Sequence, residues 1–123
     1  MTAATKSREN RPLTKAESIL WTADLTGKLE KNETATSVVS VAETTALGLT
    51  VGAGTINTGG SITYTQVDPD TGAETAHTAL TRKAVQFRVS AASATPGEAE
   101  VRVAVGTSDG NTKTLDCRIT VVT

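Results

Sequence analysis

The sequence predicts an all-β fold, an antiparallel β-sandwich preceded by an extended N-terminal arm. Three observations predict it. Apolar residues in the last third of the chain recur at every second position, which is the period of a strand with one buried face. Short apolar runs elsewhere are separated by the Gly, Pro, Asp and Asn clusters typical of turns. Thr and Val, which favour strands, supply 24 and 12 of the 123 residues, and no segment has a convincing helical period.

The first 17 residues are predicted to form the extended arm. They carry Lys6, Arg8, Arg11 and Lys15 against two glutamates, a local net charge of +2, and they show no apolar period. Pro12 favours an extended conformation in the residue before it. We therefore expect these basic side chains and Pro12 to dock on a partner protein.

The first strand of the sandwich is predicted at 19–22, where the only tryptophan stands. A large indole in a strand is typical of a core anchor, so Trp21 is expected in the core. The next segment is predicted to be a turn or a single helical turn. It directs Leu25 and Leu29 inward together, because residues four apart share a helix face.

Two strands and a bend are expected in the middle of the chain. Alternation over 34–41 predicts a strand with four residues on one face. These residues are Ala35, Ser37, Val39 and Val41. A second, shorter strand is predicted at 48–51, and the glycines of 52–60 predict a flexible bend after it.

A threonine-rich hairpin is predicted as an insertion around 61–81. Residues 62–67 alternate, and 68–72 (DPDTG) form a strong turn signal. The return arm over 73–81 is weakly apolar, so we expect a solvent-exposed hairpin with the only histidine, His77, on its surface.

The pattern is clearest in the last third of the chain. Strands are predicted at 84–90, 99–105 and 115–121, each with alternating apolar residues, and Asp109-Gly110 favours a tight turn between the last two. The side chains predicted to anchor the core of the whole domain are Trp21, Leu25, Leu29, Phe87, Val101, Val103, Cys117 and Ile119.

Seven or eight short strands in one domain correspond to an immunoglobulin-like sandwich in size. The predicted organisation is therefore an arm over 1–17 and an immunoglobulin-like β-sandwich over 18–123, with the hairpin around 61–81 inserted in it. Leu, Ile, Val and Phe total only 25 residues, which predicts a thin core that neighbouring subunits could complete.

Composition argues against several classes of function. No apolar run is long enough to span a bilayer, and residues 1–14 lack the apolar stretch of a signal peptide. A single Cys forms no internal disulfide, and one Cys with one His cannot make a typical structural zinc site. A net charge of −1 and three aromatic residues argue against a nucleic-acid-binding surface.

No catalytic, cofactor or metal site is predicted. No local motif places a nucleophile beside His77, and Cys117 shares the inward parity of its strand. The D-x-D-x-G pattern at 68–72 opens like a calcium loop, but Ala79 stands at the twelfth position, where that loop needs an acid. We therefore expect a protein that is not an enzyme and binds no cofactor.

Two stretches of the chain resemble a known group of proteins. The first contains LWTADL at 20–25 and continues through TSV at 36–38 and GLTV at 48–51. The second spans 84–122, with a Pro-Gly turn and the closing hairpin GTSDGNT at 106–112. Together they resemble short tailed-bacteriophage structural proteins with an immunoglobulin-like domain, sometimes described as fiber–tail adaptor proteins.

The resemblance covers about 18–51 and 84–123, and the chain departs from the group in two places. Residues 52–83 look like an insertion. The second tryptophan that usually follows the Thr-Ser-Val strand is absent, since Val41-Ala42-Glu43 stands there.

The resemblance implies a bacteriophage virion structural protein that mediates protein–protein attachment at the neck or tail, as a fiber–tail adaptor. The implied partners are other virion proteins of the neck, tail, fiber or capsid, with the chain as a homo-oligomer or in many copies. Neither nucleic acid nor a membrane is an expected partner. The protein would be made in the bacterial host cytoplasm and reside in the virion. A capsid decoration protein on the major capsid lattice is the alternative, and a host-surface-binding module is an alternative of a different class.

Overall fold

The computed structural model describes residues 12–67 and 71–122 of the chain. Regular structure in these residues consists of strands alone, which confirms the predicted all-β fold. The ten strands are β1 (Leu13–Thr14), β2 (Ser18–Asp24), β3 (Ala35–Glu43), β4 (Thr50–Val51), β5 (Thr55–Ile56), β6 (Ile62–Val67), β7 (Glu74–Ala79), β8 (Ala84–Ser90), β9 (Gly97–Thr107) and β10 (Thr112–Val122). Among the described residues there is no helix of the length and apolarity needed to cross a membrane.

The strands form three sheets. Sheet A has the order β1-β10-β9-β3, and its pairings are antiparallel except for the parallel pair β1–β10. Sheet B has the order β2-β8-β4, and β5 pairs with the same edge of β8. Sheet C is the hairpin β6–β7. Strand β5 lies inside the segment 52–60, which the sequence predicted to be a bend without a strand.

The core lies between sheets A and B. Trp21 of β2 is opposite Phe87 of β8 in sheet B, and Cys117 of β10 is opposite Val101 of β9 in sheet A. All eight side chains predicted as core anchors are buried members of one apolar cluster that draws on both sheets. The indole N–H of Trp21 has no hydrogen-bond partner among the described residues, so the core accepts this polar atom without pairing it.

A single tight turn follows β2 and carries two leucines into the core. The carbonyl of Leu25 accepts hydrogen bonds from the amides of Lys28 and Leu29, at 2.8 and 3.1 Å. Both leucine side chains are buried. The turn thus closes the end of the sandwich after β2 with apolar side chains.

Two β-bulges in β3 change which of its residues face the core. The pairing of β3 with β9 shifts register between Ala35 and Ser37 and again between Val38 and Ser40. Each bulge adds a residue without a partner, which reverses the alternation of side chains beyond it. Val38 and Val41 consequently pack against the core, whereas Ser37 and Val39 are exposed. The prediction that Ala35, Ser37, Val39 and Val41 share one face is therefore wrong, since Ala35 and Val41 face the core and Ser37 and Val39 do not.

The sheets begin earlier in the chain than the predicted boundary at residue 18. Leu13 and Thr14 form β1, parallel to the end of β10, and the side chain of Leu13 is completely buried. Residues 13–14 thus belong to the sandwich, although the sequence assigned them to the arm. The residues next to Leu13 are not apolar, so no two-residue period marks this strand in the sequence.

A buried hydrogen bond joins sheet C to the end of β2 in sheet B. The Tyr64 hydroxyl on β6 donates to Asp24 Oδ2 at the end of β2, at 2.8 Å. Asp24 Oδ1 accepts from the amide and the hydroxyl of Thr26, at 3.0 and 2.6 Å. Most of the hairpin is exposed, as the sequence predicted, but Tyr64 and Ala79 are buried. Residues 68–70 of its predicted turn lie outside the described residues.

Candidate interaction surfaces

The N-terminal segment is the surface that the sequence assigned to partner docking. Of its five predicted docking residues, Pro12 and Lys15 are described, and both are exposed. Lys6, Arg8 and Arg11 lie outside the described residues.

A tight turn fixes the chain just after β1. The amide and the hydroxyl of Thr14 both donate to Glu17 Oε1, at 2.8 and 2.9 Å, and the Glu17 amide donates to the Thr14 carbonyl at 3.1 Å. These hydrogen bonds favour the ionised carboxylate and lower the pKa of Glu17. Together with the burial of Leu13, they hold residues 12–17 at one edge of sheet A.

A second candidate surface is an open groove between the edges of the two main sheets. Strand β3 supplies one wall, and the segment from β4 towards β5 supplies the other. We call it the β3 groove; it encloses about 360 Å³. Its lining residues are Val38, Val39, Ser40, Val41, Val51, Gly52, Ala53 and Gly54. None of them is charged.

Gly54 keeps the β3 groove narrow by allowing a close approach of its two walls. A Cβ at this position would lie 2.6 Å from Val85 Cγ1 and 2.8 Å from Val41 Cγ2, closer than carbon atoms pack. A glycine is therefore required here.

A third concave surface lies at the base of sheet C and encloses about 420 Å³. It is lined by the segment 55–62 and by Gln86 of β8. The Gln86 amide donates to the Thr22 hydroxyl at 3.2 Å. Asn57 donates to the carbonyls of Gly60 and Leu80 and accepts from two backbone amides of the segment 80–84. These two amide side chains hold the surrounding loops together, so their role in the cleft is structural.

Glu33 is a completely buried carboxylate that joins three segments. It accepts hydrogen bonds from the Thr107 hydroxyl at 2.5 Å, the Asn111 amide at 3.1 Å and the Glu30 backbone amide at 3.0 Å. Lys113 Nζ lies 3.9 Å from it. The bond from Thr107, followed by that from Glu30, lowers the pKa of Glu33 to about 2. These contacts stabilise the negative charge of Glu33, so this carboxylate has a structural role.

Glu43 organises the loop after β3 in the same way. Its carboxylate accepts from the Thr45 hydroxyl at 2.6 Å and from the backbone amides of Leu47, Gly48 and Leu49 at 2.9 to 3.1 Å. Burial raises the pKa of Glu43, but these four donors outweigh it, and the pKa is lowered. Gly48 has φ +93°, a left-handed conformation that glycine adopts without strain.

The side chains with reactive chemistry lie in different parts of the fold. His77 is on β7 of sheet C, half-buried, and its ring packs against that of Tyr64 with a centroid distance of 5.5 Å. Cys117 is buried in β10 of sheet A. In the described part of the chain, no group of three or more His, Cys, Asp or Glu side chains is arranged to hold a metal ion.

Sequence reasoning missed the β3 groove. It placed Val39 on the same face as Ala35, Ser37 and Val41, and nothing in the residues of β3 marks the two bulges that break this alternation. The available signal was the absence of charge from Ala35 to Ala42, which is unusual for a strand at a sheet edge. Comparisons of the chain with protein-family models, with curated proteins and with solved structures found no match.

Proposed function

We propose that this chain is a bacteriophage virion structural protein whose immunoglobulin-like domain attaches one virion protein to another at the neck or tail. The observation that carries the proposal is that the N-terminal segment joins the folded domain at a buried and paired strand, β1. Leu13 is completely buried and β1 is paired with β10, so a basic segment of eleven residues leads directly into a fixed strand. Because one end of the segment is fixed to the domain, a partner that binds the segment is attached to the whole domain.

Strand order supports the immunoglobulin-like part of the proposal. Immunoglobulin constant domains have the orders A-B-E-D in one sheet and C-F-G in the other. Taking β2, β3 and β4 as B, C and D, and β8, β9 and β10 as E, F and G, sheet B here has the order B-E-D and sheet A contains C-F-G. The hairpin of sheet C is then an insertion between D and E.

Charge distribution supports attachment to another protein. Residues 1–17 have a net charge of +2, and the remaining residues hold eight basic and eleven acidic side chains. The N-terminal segment is therefore suited to an acidic surface on a partner, and attraction between opposite charges speeds such an association.

Deletion of residues 1–11 tests the proposal. This boundary spares the buried Leu13, which a deletion through residue 17 would remove. We expect the shortened protein to keep the melting temperature of the full chain. In a phage that lacks the intact gene, we expect its incorporation into particles to fall by at least about tenfold, which corresponds to about 1.4 kcal/mol of lost binding.

Charge-neutral variants refine the deletion. The triple variant K6Q/R8Q/R11Q should also be incorporated poorly. The control K28Q/K31Q/R88Q removes three exposed basic side chains from the folded part and should be incorporated normally. Normal incorporation of the shortened protein, or absence of the full chain from particles, would refute the proposal.

The number of copies in each particle distinguishes the two locations. Roughly six or twelve copies per particle would favour the neck, and hundreds would favour the capsid surface.

A further inference from the structure

We propose that residues 4–12 extend β1 along the edge of β10, so that the N-terminal segment is a strand of sheet A in the free chain. This inference goes beyond the proposed attachment function. It assigns the segment a position on its own domain, and it holds whichever virion protein the segment binds. The paired segment covers a sheet edge that would otherwise accept strands of other proteins.

Strand β10 has a long edge that the other described strands leave largely uncovered. On one side it pairs with β9 from Thr112 to Val121 without a shift of register. On the other side, within the described residues, β1 pairs with it at Val121 and Val122 alone. Residues 112–120 therefore form a regular edge, and a regular sheet edge is a template for one more strand.

The hairpin that joins β9 to β10 shows which backbone groups this edge presents. The Thr107 amide donates to the Asn111 carbonyl at 2.9 Å, so these two residues form a hydrogen-bonded pair next to the ladder. Hydrogen-bonded and non-hydrogen-bonded pairs alternate along antiparallel strands. The even-numbered residues of β10 therefore direct their amides and carbonyls away from β9. An extended peptide chain has the alternating donors and acceptors that match this row.

Strand β1 sets the direction and the register of such a chain. Leu13 is opposite Val121 in a parallel pair, and Thr14 follows in the same register. The amide and the carbonyl of Thr14 are both bonded to Glu17, so the backbone groups of Leu13 are the ones that face β10. Continued backwards in this register, residues 4–12 lie opposite 112–120.

The sequence of the segment suits this register at two positions. Pro12 has no amide hydrogen, and the register directs its nitrogen away from β10, where an edge strand tolerates proline. Arg8 falls opposite Asp116, on the outer face of the sheet. Asp116 accepts two hydrogen bonds from Arg102 of β9, at 2.8 and 3.2 Å. Arg8 thus approaches the same carboxylate from the other side, with the opposite charge.

The pairing is expected to be weak. Ala4 and Pro12 are the apolar residues of the segment 4–12, so hydrogen bonds and charge hold it with little burial of apolar surface. We expect it to detach on heating before the domain melts. This agrees with the unchanged melting temperature expected after deletion of residues 1–11. The register also places Lys6 and Arg8 on the outer face, where a partner protein can contact them.

Disulfide cross-linking of the full chain tests the register. Opposite residues of neighbouring strands lie about 5 Å apart, a distance that a disulfide spans. In K6C/T114C the two cysteines are opposite each other, whereas in the control K6C/T120C they are about 20 Å apart along the edge. In a glutathione redox buffer, we expect the effective concentration of the first pair to exceed that of the second by at least about tenfold. Peptide mapping distinguishes these bonds from any formed by the buried Cys117.

The control pair makes this result decisive. A segment that does not pair would reach residue 120, close to its attachment at Leu13, at least as readily as residue 114. Equal or reversed effective concentrations would therefore overturn the inference. Disulfide-linked dimers in place of the intrachain bond would also overturn it, because the segment would then lie on β10 of a second copy. Circular dichroism establishes that each variant is folded.

Amide hydrogen exchange tests the pairing without added cysteines. The amides of Thr114 and Thr120 face the edge, and we expect them to exchange at least about fivefold more slowly in the full chain than in the chain that lacks residues 1–11. The amides of Leu115 and Ile119 face β9 and should be unchanged, which makes them controls in the same strand. Equal exchange of Thr114 and Thr120 in the two proteins would overturn the inference. Incorporation into particles tests the proposed function separately.

Discussion

At the scale of single residues, Glu33 links the stability of the fold to pH. Its pKa, about 2 in the folded chain, lies below the ordinary value of 4.5. A carboxylate with a lowered pKa stabilises the fold above its unfolded pKa, and this contribution disappears as the pH falls through the folded value. The protein should therefore lose stability between about pH 5 and pH 2, in part through this one group.

The variant E33Q should lower the melting temperature at pH 7 and reduce the dependence of that temperature on pH between about 5 and 2. A glutamine amide must turn an N–H towards a group that already donates, either the Glu30 backbone amide at one oxygen position or the Thr107 hydroxyl and the Asn111 amide at the other. Thermal unfolding followed by circular dichroism measures both effects.

The matched control for E33Q is E98Q. Glu98 is exposed and lies 3.4 Å from Arg118, so its replacement should leave the pH profile close to that of the wild type. Some dependence on pH should survive in E33Q, because the pKa of Glu43 is lowered as well. An E33Q profile parallel to the wild-type profile would contradict the role given to Glu33.

At the scale of elements, a buried polar contact joins the hairpin β6–β7 to β2 of sheet B. Tyr64 is on β6 and Asp24 ends β2, and the hydrogen bond between their side chains is buried. The variant Y64F should destabilise the protein by about 1–3 kcal/mol, because a buried carboxylate oxygen loses a donor. Chemical denaturation measures the loss.

Hydrogen exchange shows whether that loss is local to the hairpin. We expect the amides of β6 and β7 to exchange faster in Y64F, with little change in β9 and β10. The variant T63A, at an exposed neighbour on β6, should behave like the wild type. Equal acceleration of exchange in all strands would show that Tyr64 supports the whole domain and has no special role in holding the hairpin.

At the scale of the whole molecule, a single apolar cluster joins sheets A and B. A domain with one core unfolds as one unit. Trp21 is completely buried in that core and is the only tryptophan, so its fluorescence reports on the core alone. We expect denaturation curves from fluorescence and from far-ultraviolet circular dichroism to coincide. Separate midpoints would show that the two sheets unfold independently.

Sequence reasoning was accurate where the two-residue period is unbroken. Strands β8, β9 and β10 bury Phe87, Val101 and Ile119 on the faces that their alternation predicted. It was wrong in β3, because a bulge depends on how two strands pair and leaves no sign in one strand alone. It also missed β1, whose only apolar residue, Leu13, has a partner more than one hundred residues away in β10.

The residues of the candidate surfaces were only partly predictable. The charge of the N-terminal segment is a property of composition and is visible in the sequence. The β3 groove is not, because its walls come from β3 and from the segment after β4, and their distance depends on both sheets packing on a common core.

The sequence by itself determined an all-β chain with alternating strands in its last third, a basic N-terminal segment and few residues capable of chemistry. These follow from local period and composition, which any stretch of chain carries on its own. Only the tertiary structure decided that Leu13 anchors the N-terminal segment, that Tyr64 attaches the hairpin and that Val39 faces outward. Each depends on a partner distant in sequence, and long-range pairing is fixed when the sheets assemble.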